Sequence, residues 1–287
     1  MTMQQTQTRH SAQAATLANT QSYRLASAHV DQTFVIDVAP PPFGAPLGQP
    51  LPVVYVLDGD MTFGAASVIA RALQIGPGAI APVLVVGVGY ADDHADQPAP
   101  MALRHRDLTP SVDQRYLTMA RGAPGPMALP PTILPGGADD FLDFLEDELK
   151  PFIAARYAVD REDQALIGVS LGGLFALHVL FTRPEAFRRY GAISPSIWWD
   201  ERTVLGEEAT LAARVTDLDR RLFLAVGALE EAQDATARMV SNLYELEATL
   251  RARAYPSLEM AMQVLPDESH MSVFPAAISR AFRALYA

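Results

Sequence analysis

A short segment near the middle of the chain combines one serine with several glycines. Residues 168–172 read GVSLG and fit the pattern G-x-S-x-G, after the β-type run QALIGV and before the helical run LGGLFALHVLF. In a nucleophile elbow, a serine lies on a sharp strand-to-helix turn that exposes its Oγ, and small neighbours leave room for the backbone. The N–H of Leu171 and the helix dipole would stabilise a developing oxyanion. The pattern predicts Ser170 as a nucleophile, against the alternative of an ordinary glycine-rich turn.

A serine hydroxyl needs a general base before it becomes a good nucleophile. In hydrolases with this elbow the chain order is serine, acid, histidine, so the base should follow Ser170. Of the six histidines, His178 and His270 do so. His178 lies about 12 Å along the same helix at 1.5 Å per residue, so we expect it to pack rather than react. His270, in the segment PDESHMSVFP after the last strand, is the predicted base.

The acidic partner should follow the strand at 222–226. Its function would be to hold the tautomer of the imidazole and to stabilise the imidazolium. Glu230 is the first choice, and the alternatives are Glu231, Asp234 and Asp267. A capping function is a competing interpretation, because acidic pairs commonly open helices.

A second oxyanion donor is expected after the first central strand, in the segment LDGDM at 57–61. Gly59 would let the backbone approach the substrate carbonyl, and the amide of Asp60 or a neighbour would donate, unless the segment is only a tight turn. This chemistry needs neither a metal nor an organic cofactor. The absence of cysteine excludes a thiolate nucleophile and cysteine zinc sites.

The elements that must position these residues alternate along the chain. Strands are predicted at 22–27, 32–38, 51–57, 81–88, 164–169, 190–193, 222–226 and 260–265. Helical patterns cover 62–73, 138–157, 171–182, 232–254 and 274–286. This order predicts one domain over 21–287 with a mostly parallel central sheet, an antiparallel N-terminal hairpin, and helices on both faces. Together with the elbow predicted at Ser170, it indicates an α/β-hydrolase fold.

Two segments lie outside this alternation. The first twenty residues are polar and lack the hydrophobic region of a secretory signal, so we expect a flexible tail and a cytoplasmic protein. Residues 91–137 show little periodicity and many prolines and glycines. We interpret them as a substrate-covering loop, with a plain surface insertion as the alternative.

The charge balance limits the partners. With 22 basic and 33 acidic residues, the net charge of −11 argues against nucleic acid and against an anionic membrane surface. A small-molecule ester is the expected partner, and the sequence leaves the oligomeric state open.

Seven stretches, in matching order over nearly the whole chain, resemble the putative-esterase family of α/β-hydrolases, which includes enterobactin and bacillibactin esterases. The resemblance implies a serine carboxylic ester hydrolase that acts through an acyl-enzyme on siderophore lactones or other aryl and acyl esters. It implies Ser170 as nucleophile, His270 as base and an acid within 227–231. The stretches are VVYVLDGDMTF, GVGY, RHRDLTP, GGADDFLDFLEDELKPFI, GVSLGG, AISPSIWW and SHMSVFP.

The same resemblance implies further residues near the substrate. Arg104 and Arg106 of RHRDLTP would lie beside the site and suit catecholate or carboxylate groups, although Asp107 is available to pair with one of them. Trp198 and Trp199 would wall the acyl pocket or else belong to the core. A highly charged ferric triscatecholate calls for more positive charge than this acidic sequence offers.

Two other functions fit these residues. An acyltransferase of the same fold would pass the acyl group to an alcohol, with identical chemistry up to the acyl-enzyme. A non-catalytic ligand-binding protein of this fold is the third interpretation, and the intact serine, histidine and glycine set argues against it.

Overall fold

The computed structural model describes residues 16–44, 49–76, 80–91, 100–123 and 128–287. Residues 1–15 of the predicted tail lie outside the described residues. Within the described ranges, eight strands form a single sheet. They are β1 (Gln21–Ser27), β2 (Gln32–Ala39), β3 (Leu51–Leu57), β4 (Leu84–Tyr90), β5 (Val159–Val169), β6 (Arg189–Ile193), β7 (Arg221–Gly227) and β8 (Glu259–Leu265).

The sheet has the strand order β1-β2-β4-β3-β5-β6-β7-β8. The hairpin pairs β1 with β2 in antiparallel register, and β2 is also antiparallel to β4. The remaining neighbours are parallel. All parallel strands therefore end at one edge of the sheet, where ligands bind in open α/β folds. The predicted α/β-hydrolase architecture is confirmed.

Helices cover both faces of this sheet. They are α1 (Gly59–Leu73), α2 (Pro100–Asp107), α3 (Gln114–Arg121), α4 (Ala138–Asp143), α5 (Lys150–Ala154), α6 (Leu171–Thr182), α7 (Thr203–Ala212), α8 (Glu230–Gln233), α9 (Met239–Arg253) and α10 (Val273–Tyr286). On one face α1 and α10 form an apolar core with strand residues such as Val54 and Ile167. On the other face, α6 and α9 pack against residues such as Tyr55 and Leu166. No helix in the described ranges is long and apolar enough to cross a membrane.

Two predicted helices are interrupted. The helix expected over 138–157 consists of α4, a π-helical turn at Phe144–Leu149, and α5. The helix expected over 232–254 is divided into α8 and α9, because Asp234 Oδ1 accepts hydrogen bonds from the amides of Thr236 and Ala237. That turn satisfies the backbone locally and so ends the helix.

The segment 91–137 is not a loop throughout, and that part of the prediction was wrong. Residues 92–99 and 124–127 lie outside the described residues, but α2 and α3 lie between them. Helix α2 buries Arg104, His105 and Asp107. Helices are predicted from the spacing of apolar residues, and the buried face of α2 contains charged and polar residues, so the sequence pattern did not reveal this helix. Whether the segment acts as a lid stays a prediction.

Tyr116 of α3 joins this segment to the body of the molecule. Its ring packs against those of Trp198 and Trp199, and its hydroxyl lies 2.5 Å from Nε2 of His105. Nδ1 of His105 lies 2.7 Å from the carbonyl of Met101 and donates to it, so Nε2 accepts from Tyr116. Burial lowers the pKa of His105, which fits this neutral form.

The turn from β5 into α6 leaves no space for side chains at two of its glycines. A Cβ on Gly168 would lie 2.1 Å from the carbonyl oxygen of Gly172, well inside contact distance. A Cβ on Gly173 would lie 2.9 Å from the carbonyl oxygen of Ile193. Backbone packing therefore requires glycine at positions 168 and 173.

We expect Gly168→Ala to destabilise the protein by roughly 3 kcal/mol or more, because the new methyl group meets backbone that cannot move away. Urea unfolding measures this free energy. Gly206→Ala is the matched control: Gly206 is exposed in α7, a methyl group added to it would meet nothing within 4 Å, and alanine there should stabilise by about 0.5–1 kcal/mol. Equal stability of the two variants would contradict this account of the turn.

Candidate active site

Ser170 occupies the turn between β5 and α6 in a backbone conformation that is unusual for a residue with a side chain. Its φ is 59° and its ψ is −118°. Its amide donates to the carbonyl of Ile193 in β6, 3.0 Å away, which fixes the turn to the neighbouring strand. Such strain costs on the order of 1–3 kcal/mol and persists only where the surrounding structure imposes it. The structure thus presents Ser170 Oγ at the carboxyl edge of the sheet.

His270 approaches this serine from the loop between β8 and α10. Its Nε2 lies 3.0 Å from Ser170 Oγ, within hydrogen-bond distance. The loop is held in place by the amide of Leu229, which donates to the carbonyl of Glu268 at 3.0 Å. The two residues, a hundred positions apart in sequence, are therefore brought into direct contact.

Glu230 lies on the other side of the imidazole. Its Oε2 is 2.7 Å from His270 Nδ1. Its Oε1 accepts from the hydroxyl of Ser194 at 2.6 Å and from the amide of Gly227 at 2.7 Å. Glu230 is 2% exposed, so these donors replace the water that its carboxyl group would otherwise bind. This geometry fixes both the acid and the ring that it contacts.

The three alternative acids have other contacts. Glu231 accepts from the amide and hydroxyl of Ser241 at the start of α9, and those bonds lower its pKa. Asp234 forms the turn that ends α8. Asp267 is exposed, with a φ of 61°. Of the four acids considered, Glu230 is the one that contacts His270.

The predicted oxyanion donors lie in the first turns of two helices. Leu171 opens α6, and Gly59 and Asp60 open α1, where the first amides have no partner within their helix. The two helix ends adjoin, since a Cβ on Gly172 would lie 3.2 Å from Oδ2 of Asp58.

The reason offered for Gly59 needs correction. A Cβ there would lie 2.9 Å from the amide nitrogen of Val88, so the glycine allows α1 to pack on β4 rather than opening a path to substrate. The side chain of Asp60 is exposed at the start of α1.

Two cavities flank the Ser170–His270 pair. The larger, the methionine cavity, has a volume of about 390 Å³, and its lining includes the buried residues Asp58 and Arg104. Its walls are mainly apolar and are formed by Met61, Thr62, Ala65, Met101, Val169, Met271, Phe274 and Pro275. The smaller, the tryptophan cavity, has a volume of about 270 Å³. Besides Ser170 and His270, its lining comprises Ser196, Trp198, Glu230, Gln233, Asp234, Ala237 and Met239.

A third cavity, of about 550 Å³, is lined in part by Phe181 of α6 and Glu207 of α7. It shares no lining residue with the other two cavities. We therefore place the candidate site at the two smaller cavities.

The structure separates the two predicted arginines. Arg104 lines the methionine cavity, but its Nε and Nη2 donate to the two carboxylate oxygens of Asp58 at 2.8 and 3.0 Å. Arg106 makes a similar bidentate pair with Asp107 and does not belong to either cavity lining. The expectation that both arginines lie beside the site is therefore wrong for Arg106.

The two tryptophans also differ. Trp198 lines the tryptophan cavity. Trp199 is fully buried and donates from Nε1 to the carbonyl of Ser111 at 3.1 Å. It therefore belongs to the core, which was the alternative to a wall of the acyl pocket. His178 is buried in α6 with Nδ1 2.9 Å from Glu207, away from Ser170, as expected.

Sequence reasoning missed Ser194 and Asp58. Each directly follows a parallel strand, β6 and β3 respectively, which is a signal that could have found them. Ser194 also has a positive φ of 43°, which the sequence does not reveal. The three methionines of the larger cavity come from different helices or loops, and no local pattern joins them.

Comparison with known proteins identifies the class. The family described as putative esterase matches residues 112–256. Ferri-bacillibactin esterase BesA of Bacillus subtilis is 31% identical over 278 residues, which cover 94% of this chain and 90% of that protein. A siderophore triacetylfusarinine C esterase of Aspergillus fumigatus is 32% identical over 254 residues, covering 80% of each protein.

Solved structures agree with these relatives. The BES protein of Bacillus cereus superposes with a TM-score of 0.82 at 31% identity, covering 98% of this chain and 99% of that one. The siderophore hydrolase EstA of Aspergillus nidulans gives a TM-score of 0.76 at 28% identity over 96% of this chain and 97% of that one. The chain is an α/β-hydrolase and an esterase. Within that class it belongs to the putative-esterase family and is similar to its siderophore esterases.

We expect Ser194→Ala to lower kcat/KM about tenfold, since loss of one hydrogen bond to a buried carboxylate costs on the order of 1–2 kcal/mol. Initial rates on a p-nitrophenyl ester measure this, with near-ultraviolet circular dichroism to verify folding. Ser67→Ala is the control, because Ser67 is also buried but donates only to Gly64 within α1. An unchanged kcat/KM in Ser194→Ala would show that Glu230 does not depend on this donor.

Proposed function

We propose that the protein hydrolyses carboxylic esters through an acyl-enzyme formed on Ser170. The observation that carries the proposal is the continuous set of hydrogen bonds from Ser170 through His270 to Glu230, with distances of 3.0 and 2.7 Å. Nucleophile, base and orienting acid within these distances are what acyl transfer to a serine requires. The esterase relatives support the same reaction class.

In the first half of the reaction, Ser170 Oγ attacks the ester carbonyl carbon while His270 Nε2 takes its proton. The carbonyl electrons move onto oxygen, and they return when the bond to the alcohol breaks. His270 then donates the proton to the departing alkoxide. In the second half, a water molecule attacks the acyl carbon while His270 Nε2 takes a proton from it. The bond between the acyl carbon and Ser170 Oγ then breaks, His270 returns the proton to Oγ, and the free acid leaves.

Glu230 assists both halves. Its contact with Nδ1 keeps the proton on that nitrogen, so Nε2 faces Ser170 as an acceptor. The negative carboxylate also stabilises the imidazolium that forms in each half. Three donors hold it in position, so it need not reorganise during the reaction.

The oxyanion would be bound by backbone amides at the two adjoining helix starts. The amide of Leu171 would be one donor and the amide of Asp60 or Gly59 the other. Both lie at helix N-termini, whose dipoles favour negative charge. Removal of one such donor typically costs about 10²–10³ in kcat.

For the substrate, we propose an ester bond in an iron-chelating siderophore. Two relatives that cover most of this chain are named as esterases of bacillibactin and triacetylfusarinine C. A panel of p-nitrophenyl esters, siderophore lactones and feruloyl esters tests the proposal through kcat/KM. Feruloyl esters as the best substrates would contradict it.

We expect Ser170→Ala to lower kcat by about 10⁴-fold or more, because the remaining groups supply only binding and oxyanion stabilisation. Mass spectrometry should find a fluorophosphonate adduct on Ser170 in the parent and none in the variant. An adduct on another residue, or esterase activity retained by Ser170→Ala, would contradict the serine mechanism.

The acyl acceptor can be measured separately. The enzyme is given a p-nitrophenyl ester and an excess of an alcohol, and the two products are quantified. A hydrolase should release mainly the free acid, because water accepts the acyl group, whereas a transferase should form mainly the ester of the added alcohol. We expect free acid. A dominant ester product at low alcohol concentration would identify a transferase.

A further inference from the structure

The charges around the two cavities are unbalanced. Among the described residues that line the methionine and tryptophan cavities, Arg104 is the only permanent cation, and the same two linings contain three carboxylates. The three carboxylates belong to Asp58, Glu230 and Asp234. The described residues that line the two cavities therefore offer a negatively charged ester no permanent cation other than Arg104.

Asp58 cancels the charge of Arg104. The two side chains share a bidentate pair in which both are almost fully buried: 10% of the arginine side-chain surface and 3% of the aspartate side-chain surface are exposed. The Arg104 guanidinium uses two of its N–H groups to bind Asp58 and can still donate a hydrogen bond from the others. The pair as a whole has no net charge. Its field falls off much faster than that of a free arginine.

Asp60, at the start of α1, adds another carboxyl group close to Asp58. The pKa of the Asp60 carboxyl is raised by partial burial and then by the Asp58 carboxylate, and Arg104 offsets this only in part.

The walls of the methionine cavity are suited to uncharged groups. Met61, Met101 and Met271 contribute flexible apolar side chains, and Phe274 and Pro275 complete the surface. Placing an anion against such walls would remove its hydration without a compensating partner, which is strongly unfavourable.

We propose that this esterase is selective for ester substrates without negative charge, and that Asp58 sets the selectivity by neutralising Arg104. This inference rests on the proposed function and adds the charge class of the substrate. Among iron complexes it favours a neutral one: three hydroxamates balance the charge of ferric iron, whereas three catecholates leave the complex strongly anionic.

The test uses two probes that differ mainly in charge: mono-p-nitrophenyl adipate and the p-nitrophenyl ester of adipic acid monoamide. We expect the amide to have a kcat/KM at least about tenfold higher, because the described lining residues offer the carboxylate no unpaired permanent cation. The adipate-to-amide ratio of kcat/KM should rise toward one with added salt, since screening weakens the repulsion between the carboxylate probe and the site. Equal rates, or faster hydrolysis of the adipate, would overturn the inference.

Asp58→Asn tests the assigned residue. Asp58 has a φ of 53°, a conformation that asparagine also adopts readily, so the backbone is expected to persist. The freed Arg104 should raise the adipate-to-amide ratio by about tenfold or more. Asp107→Asn is the matched control, because it frees Arg106, which lines neither cavity, and should leave the ratio unchanged.

A third variant tests the proposal even if Asp58→Asn does not fold. Asp234→Asn removes a carboxylate from the tryptophan cavity, while the side-chain oxygen that accepts from the Thr236 amide remains. We expect a rise of a few-fold in the same ratio, and no change would count against the proposal. If neither probe is hydrolysed by the parent protein, the proposed esterase function fails instead, so the two failures are distinguishable.

Discussion

The close approach of two backbone segments at the β5–α6 turn governs the rest of the site. Gly168 and the carbonyl of Gly172 are so near that no side chain fits between them. Ser170 lies between these two glycines and has a positive φ of 59°. The conformational cost is met by α6, whose residues from Leu171 to Phe181 are all buried between the sheet and its neighbouring helices. A helix so completely enclosed cannot shift to relieve the strain.

The buried carboxylate of Glu230 connects three strand ends into one unit. Ser194 follows β6, Gly227 ends β7, and His270 follows β8, and all three contact the same carboxyl group. Gly227 has its own steric requirement, because a Cβ there would lie 2.4 Å from the carbonyl oxygen of Glu268. The position of the imidazole is therefore set by interactions in the sheet edge rather than by its own loop alone.

The Asp58–Arg104 pair illustrates how a site can contain an arginine without being cationic. A basic motif in the sequence suggests a binding place for anions, but the charge that substrate meets depends on what the guanidinium already contacts. Here α2 and the end of β3 contribute one partner each, and the pair connects α2 to the sheet edge beside the methionine cavity. Burial makes the pair effectively permanent, since breaking it would leave an isolated buried charge.

Much of this protein could be predicted from local sequence. The apolar strands, the strand-to-helix context of GVSLG and the position of His270 after the last strand were sufficient for the fold class and for the contact between residues 170 and 270. These features are local or follow from chain order in a parallel sheet, so neighbouring residues contain the information. Four acids were candidates by position, and a single side-chain contact distinguished Glu230 from the others.

The tertiary structure decided what depends on distant partners. Helix α2 was missed because its buried face is charged and gains its stability from Asp58, which is 46 residues from Arg104, and from Tyr116 in the next helix. Arg104 and Arg106 look equivalent in RHRDLTP, and so do Trp198 and Trp199 in SPSIWWD. Within each pair, one side chain reaches a cavity and the other does not. Side chains close in sequence on a helix or turn point in different directions, and only the packing around them determines which direction leads to the substrate.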